Sequence, residues 1–451
     1  MYIKNRPCLC GRFFSLRVRM VGDKYLKYTL LTLALALTCT LVGSMPLSGA
    51  DGGGGRKARG RVLRVALVGD PQVDDSTEMG YARRSVYREL YWRRDLDMCI
   101  FLGDLVNDNM SLLPESVRVI DSLPYPCFMV PGNHDRDVRG DRPMPFVRNL
   151  KTWRKVVGYV DTSFVRSNVR FILMNNVRHS DSGITDYVGG FTGMQKHWLD
   201  SVLNVGAPAL TVLATHIPFS QMKGRDSVLA LVPEAARMLY VSGHTHYVSR
   251  DDSVPELIVG ATCGSWWRGV KDTDGIPYAL QSCGSPRGYF IADFHRGGRY
   301  DLSYKCVGRP ASEQLSAWAI PDGLDTCSYR LCVNVFGGST DGIVRVRVPR
   351  RGRGVCGKSY LCERSNTTAP EVEKVIRFNA SLSREYRRTH RTEFIPLRRK
   401  PSPHIWKTTA TFSGPEPAYV NVIYRDAHTR IRQRVKVNKL QCFPPRPCLF
   451  R

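Results

Sequence analysis

Five short apolar runs, each ending in side chains able to ligate a metal, constrain this chain more than any other feature. Cys127-Phe128-Met129-Val130 runs into Pro131-Gly132-Asn133-His134-Asp135. A run this short and apolar reads as a buried strand, and Pro-Gly ends it. Val65-Ala66-Leu67-Val68 leads likewise into Gly69-Asp70-Pro71-Gln72, and Cys99-Ile100-Phe101-Leu102 into Gly103-Asp104-Leu105-Val106-Asn107. Leu210-Thr211-Val212-Leu213-Ala214 precedes Thr215-His216, and Met238-Leu239-Tyr240-Val241 precedes Ser242-Gly243-His244-Thr245-His246. Open α/β sheets bind ligands at the carboxyl ends of their strands. Neighbouring strands would bring two Asp, an Asn, a Gln and four His to one rim, more donors than one ion needs. Between the runs, residues 78–94 carry Met79, Ala82, Val86, Leu90 and Trp92 at mostly helical spacing, and residues 112–123 form a second crossover. The expected class is therefore α/β.

This ordered set resembles the calcineurin-like metallophosphoesterases, whose motifs read Asp-x-His, Gly-Asp, Gly-Asn-His-Asp or Glu, a lone His, and Gly-His-x-His. The resemblance runs from about residue 63 to 247 and implies a β-sandwich flanked by helices. It also implies an enzyme that hydrolyses a phosphate mono- or diester with two divalent ions, Mn, Fe or Zn. Carried over residue by residue, Asp70, Gln72 and His246 hold the first ion, Asn133, His216 and His244 the second, and Asp104 bridges both. The implied nucleophile is a metal-bridging hydroxide, and His134 is the implied general acid, its ring oriented by Asp135 or Asp104. One departure stands out: Gln72 occupies the place of a histidine. An amide oxygen is a harder, weaker donor than imidazole, so the first ion is expected to bind less tightly or to differ in kind.

Further on, Cys263-Gly264-Ser265-Trp266-Trp267, Asp274-Gly275-Ile276-Pro277, Pro286-Arg287-Gly288-Tyr289 and Tyr304-Lys305 resemble the C-terminal region of a bacterial, Bacteroidetes-type subgroup of that family. The Trp pair has two readings, a stacking platform for a sugar or base, or packing between domains. Asn175-Asn176 either line the cleft or form a turn. Thr192 and Gln195 have the form of a capping box. His179, His197, His295, His390, His404 and His428 follow no strand in a ligand motif and read as surface or packing residues.

The chain divides by composition. Residues 1–50 read as a signal peptide: basic residues to Lys27, an apolar stretch over 28–42, and Ser48-Gly49-Ala50 at a cleavage site, with Met20 an alternative start and an uncleaved anchor a second reading. Export to the periplasm, cell surface or medium follows. Residues 51–60 form a Gly-rich, basic linker, 61–250 the catalytic domain, and 251–308 strands and the Trp-Trp segment that complete the core or join the domains. Residues 309–451 form a smaller β-rich C-terminal domain, expected to be a small β-sandwich because Val344-Arg345-Val346-Arg347-Val348 alternates like a half-exposed strand.

Export permits disulfides, and Cys327/Cys332, Cys356/Cys362 and Cys442/Cys448 are close enough in sequence to staple loops. None has CxxC spacing, which excludes a zinc ribbon. The net charge is +26, and residues 341–451 carry twenty-five Lys/Arg against eight Asp/Glu. Such a field favours an anionic surface, a lipid headgroup or polysaccharide, while no nucleic-acid recognition motif accompanies it. Two alternatives to the exported phosphoesterase remain: a catalytically weak surface-binding protein that uses its basic β-domain, and a nuclease. The complete donor set favours the hydrolase.

Overall fold

A computed structural model describes residues 62–137, 149–179, 187–251, 253–322, 325–349 and 357–440. The expected signal peptide and linker lie outside these residues, as do Cys356 and the Cys442/Cys448 pair. Two sheets stack face to face. In the first, Leu63–Val68 runs parallel to Met98–Phe101, which runs parallel to Cys127–Met129; Gly288–Phe294 and then Tyr300–Cys306 add antiparallel strands on the other side. In the second, Val169–Leu173, Leu210–Ala214, Met238–Ser242 and Glu256–Val259 are parallel, flanked by antiparallel Thr162–Arg166 and Val248–Asp251. Strands drawn from residues 251–308 thus enter both sheets.

Strand alternation sorts the side chains into layers. Val65, Leu67, Ile100, Phe171, Leu173, Val212 and Val241 fill the space between the sheets. Their neighbours Ala66, Val68, Phe101 and Met129 point the other way, onto helices that supply Met79, Val86, Leu90, Ile120 and Trp153. On the far side, Ile172, Leu213 and Tyr240 meet Leu199, Leu203 and Phe219. Each fully buried side chain of this kind stabilises the fold by about 1.5–3 kcal/mol. The helix Gly193–Leu203 begins with the expected capping box: Gln195 N donates to Thr192 Oγ1 at 3.2 Å and Thr192 N to Gln195 Oε1 at 3.0 Å. Trp92 departs from its expected place. Met79, Ala82, Val86 and Leu90, spaced three or four residues apart, are buried, while Trp92, only two residues beyond Leu90 and so on the opposite face, is 66% exposed.

The C-terminal region is a closed barrel rather than the expected small β-sandwich. Leu315–Asp322 pairs on one edge with Asp325–Val335 and on the other with Arg430–Lys439, closing a ring that continues through Tyr419–Arg425, Ile343–Val348, Lys358–Arg364 and Ile405–Thr408. Closure removes the free edges that a sandwich keeps. Ala317, Leu331, Val333, Val344, Val346, Val420 and Val422 fill its interior. Between the strands Lys358–Arg364 and Ile405–Thr408 the chain makes a helical excursion, Pro370–Ser381 and Arg384–Thr389, not foreseen in a β-rich region.

Barrel and sandwich share a seam. Phe336 belongs to the core between the sheets, the His428 ring stacks on Tyr300 at 3.9 Å, and Leu302 N donates to His428 O at 2.8 Å. Arg250 is ion-paired with Asp426 in the seam and donates to Thr429 Oγ1 at 3.0 Å. Cys332 and Cys362 are free, buried thiols, so the Cys327/Cys332 staple is not made, while Cys356, the expected partner of Cys362, lies outside the described residues. Cys327 and Cys332 share one extended strand, where five residues span about 16 Å, beyond disulfide reach. Among the described residues no helix is long and apolar enough to cross a membrane.

Candidate metal centre

The loops that leave Leu63–Val68, Met98–Phe101, Cys127–Met129, Leu210–Ala214 and Met238–Ser242 converge where the two sheets meet. Their backbones are unusual. Asp70, Gln72, Asp104, His244 and His246 all have left-handed φ, from +41° to +71°, at a cost of roughly 1–2 kcal/mol each for a side chain with a Cβ. Glycines make the crowding possible: a Cβ on Gly132 would lie 2.1 Å from Asp104 Oδ1, and one on Gly103 would lie 2.5 Å from His216 Nδ1.

His216 is the hub. Its Nδ1 donates to the Leu102 carbonyl at 2.7 Å, which turns Nε2 into the cluster, where it can ligate a metal once its proton is displaced. Around Nε2 stand Asn133 Oδ1 at 3.0 Å, His244 Nδ1 at 3.1 Å and Asp104 Oδ2 at 3.3 Å. Four nitrogen and oxygen atoms of ligand type thus face one another in a buried space, and the Asp104, His216 and His244 atoms lie within 4.8 Å of one another. This donor set of oxygen and imidazole nitrogen suits a divalent transition metal.

The other half of the cluster is built by a loop not recognised as part of the site. Thr262 N donates to Gly69 O and Cys263 N to Asp70 O, at 2.9 and 3.0 Å. Gly264 O accepts from His246 Nδ1 at 2.5 Å, which turns His246 Nε2 toward Asp70 Oδ1, 4.0 Å away. Asp70 also accepts from His244 N at 3.0 Å. Gln72 Nε2 donates to Asn107 Oδ1 at 3.3 Å, so the amide oxygen lies on the side of the Cys263 thiol, 3.7 Å from Sγ. The orientation of that amide follows from this network.

Burial sets the electrostatics. It pushes Asp70 well above the usual carboxylate range. It pushes the His216 imidazole down and the Asp104 carboxyl up, but their mutual attraction prevails in both, raising His216 to about 9 and lowering Asp104. Burial, reinforced by repulsion from His216, lowers His244 to about 3 and His246 to about 4, so both are neutral and available as ligands.

His134 lies beside this cluster, its backbone N donating to Asp104 Oδ1 at 2.9 Å. Its ring Nδ1 stands 3.0 Å from Asp108 Oδ2, so Asp108, rather than Asp135 or Asp104, is the carboxylate that faces the ring. Burial opposes the charged form, yet Asp108 and Asp104 raise the imidazole above its ordinary value. Asp135 ties loops together instead, accepting from Gly132 N at 2.9 Å and Val106 N at 3.0 Å.

The paired residues with two readings also resolve. Asn176 clamps the chain after His216, donating to Ile217 O at 2.7 Å and accepting from Ile217 N at 3.0 Å; Asn175 caps Val177 N. Trp267 is buried, with Nε1 donating to Pro71 O at 2.9 Å. Trp266 is 42% exposed and its ring lies 4.7 Å from that of His246. Of the histidines outside the motifs, His197 is exposed, His295 pairs with Asp301, His390 stacks on Tyr386, and His404 and His428 lie against the barrel. The side chain of His179 lies outside the described residues.

Two family models match the chain. One, described as calcineurin-like phosphoesterase, covers residues 63–248, and the other, described as the C terminal of calcineurin-like phosphoesterase, covers residues 256–430. No curated protein matches it. The first match spans every strand end described above and the second takes in the Trp-Trp segment and all of the barrel but its last strand, so the chain belongs to the calcineurin-like phosphoesterases, metal-dependent hydrolases of phosphoric esters.

Proposed function

We propose that the chain hydrolyses a phosphate mono- or diester with two divalent ions, one held by Asp70, Gln72 and His246, the other by Asn133, His216 and His244, with Asp104 shared. The observation that carries this reading is the convergence of His216 Nε2, His244 Nδ1, Asn133 Oδ1 and Asp104 Oδ2. When bound, such ions supply Lewis acidity toward the phosphoryl oxygens and activate water at neutral pH. The protein's own part is to hold the donors in place with backbone carbonyls and to supply a proton. His134 gives that proton to the departing ester oxygen, with Asp108 behind its ring favouring the charged form.

The test is His134→Gln. Metal content by elemental analysis is expected to stay near wild type while kcat falls about 10²–10⁴-fold for an alkyl phosphate, and far less for nitrophenyl phosphate, whose leaving group needs little protonation. Loss of metal equal to that of His216→Ala would make His134 a ligand instead.

A second, compatible activity rests on the barrel wall. The strands Lys358–Arg364, Ile343–Val348, Tyr419–Arg425 and Arg430–Lys439 lie side by side, and register sets Arg425 opposite Arg430 and places Arg347, Asn421 and Arg434 in one row. Arg345, Arg347, Arg425, Arg430, Arg432 and Arg434 are exposed on it, and among the described residues none is ion-paired with a carboxylate. This wall is read as the contact with an anionic lipid headgroup or acidic polysaccharide, reached by a chain exported through residues 1–50. Each such cation contributes about 1 kcal/mol near an anionic membrane. Arg345→Glu with Arg432→Glu is therefore expected to weaken sedimentation with anionic vesicles at least tenfold at low salt, with a parallel arm on an acidic polysaccharide. Equal binding by variant and wild type in both arms would remove the partner.

A further inference from the structure

One cavity of about 440 Å³ is not used by the proposed reaction. Arg268, Arg387, Arg391, Thr392 and Phe394 line it. Two distant parts of the chain build it. The loop after Cys263 supplies Arg268, and the helical excursion of the barrel supplies the rest through Arg384–Thr389 and the turn Arg391–Glu393. The two are fastened: Gly269 N donates to Thr392 O at 2.7 Å, and buried Ile395 packs so closely that a Cβ on Gly269 would come within 2.9 Å of its Cδ1. The Tyr386 and His390 rings stack at 4.1 Å and brace the short helix from within.

The cavity is linked to the reacting centre by one short stretch of chain. Arg268 follows Trp266 by two residues, at most about 7 Å of chain. Trp266 in turn is the exposed ring that lies against His246, while its neighbour Trp267 is pinned to Pro71 O. Trp266 is therefore the contact that joins the metal ligands to the loop carrying Arg268.

The chemistry of the lining is one-sided. Three exposed guanidinium groups surround it, Phe394 adds an apolar wall, and no carboxylate does. Among the described residues Arg391 is not ion-paired with a carboxylate, Arg268 makes no direct ion pair but feels the charge of Glu78 outside the lining, and Arg387 donates to Leu382 O at 3.2 Å. Like charges gathered around one concavity repel, and a polyvalent oxyanion is the ligand that reverses the sign; the planar guanidinium fork matches phosphate in particular.

We propose that this cavity binds a second phosphate group carried by the substrate, distal to the ester that is cleaved, and so selects bisphosphorylated substrates. Trp266 covers the connecting portion of the molecule. The inference rests on the reading of the metal centre given above.

The experiment compares a hexose 1,6-bisphosphate with the corresponding hexose 6-phosphate on the metal-loaded, full-length protein. Arg391→Gln and Arg268→Gln are each expected to raise the KM ratio of bisphosphate to monophosphate about tenfold, the weight of one charge-assisted hydrogen bond. Arg391→Lys, which keeps the charge, should recover part of that ratio, and Arg384→Gln, on the same helix but outside the lining, should not move it. An unchanged ratio in both glutamine variants overturns the proposal, and so does an equal rise for both substrates, which would be general electrostatic steering. Should the wild type hold no metal and cleave neither ester, the reading of the metal centre fails by itself. The cavity is then judged by calorimetric binding of the bisphosphate: weaker binding in the arginine variants supports it, and equal affinity in wild type and variants overturns it.

Discussion

Asp104→Ala is expected to abolish turnover, lowering kcat/KM on the order of 10³-fold or more, and to reduce bound metal toward one ion or none. The side chain has three duties. Oδ1 accepts from His134 N, Oδ2 lies 3.3 Å from His216 Nε2, and the charge offsets the imidazolium that burial would otherwise disfavour. Alanine removes all three at once. Asp104→Asn separates them, because the amide oxygen retains the contact with His134 N while the charge is gone. Elemental analysis of both variants, with circular dichroism to show that each is folded, is the check. Two ions retained by Asp104→Ala would show that this carboxylate is not shared between them.

Asp426→Ala is expected to destabilise the protein by about 3–5 kcal/mol, because it removes one half of a buried ion pair in the seam. The Arg250 and Asp426 side chains are 2% and 1% exposed, and Asp426 also accepts from His428 N and Thr429 N, each at 2.7 Å. Asp426→Leu combined with Arg250→Met should recover much of the loss, since an apolar pair of similar volume replaces both buried charges together. Thermal unfolding of the single and double variants measures this. The same seam argues that sandwich and barrel unfold in one transition. Phe336, in the barrel region, fills part of the core between the sheets, and Leu280 packs against the barrel's Trp318 and Ile405. A chain ending at Arg309 would expose both surfaces, and aggregation is its expected behaviour.

The strand ends were legible because two local signals coincide there: a short apolar run and, directly after it, a residue type whose chemistry is costly to bury without a purpose. Asp70, Asp104, Asn133, His216 and His246 could be named on that basis. The groups that hold them could not. Gly264 O and Leu102 O are main-chain atoms with no residue signature, and Asp108 faces His134 only because the two loops fold against each other. Trp92 falls outside the buried stripe for a simpler reason: two residues beyond Leu90 place it about 200° round the helix, on the exposed face. Barrel closure depends on Leu315–Asp322 meeting Arg430–Lys439, strands more than a hundred residues apart whose alternation is the same in a barrel and a sandwich.

The two main-chain carbonyls have a consequence for durability. In many metal proteins a carboxylate steadies the ligating imidazole, and acid that neutralises this carboxylate loosens the ring. Here Leu102 and Gly264 perform that duty with groups that take up no proton across the range a living environment offers. Acidification therefore has to compete for the ligand nitrogens directly, and the aim of the His216 and His246 rings outlasts the titration of every carboxylate around them. Restoring neutral pH then returns the donors to rings already pointed the right way, a form of memory in the backbone rather than in charge.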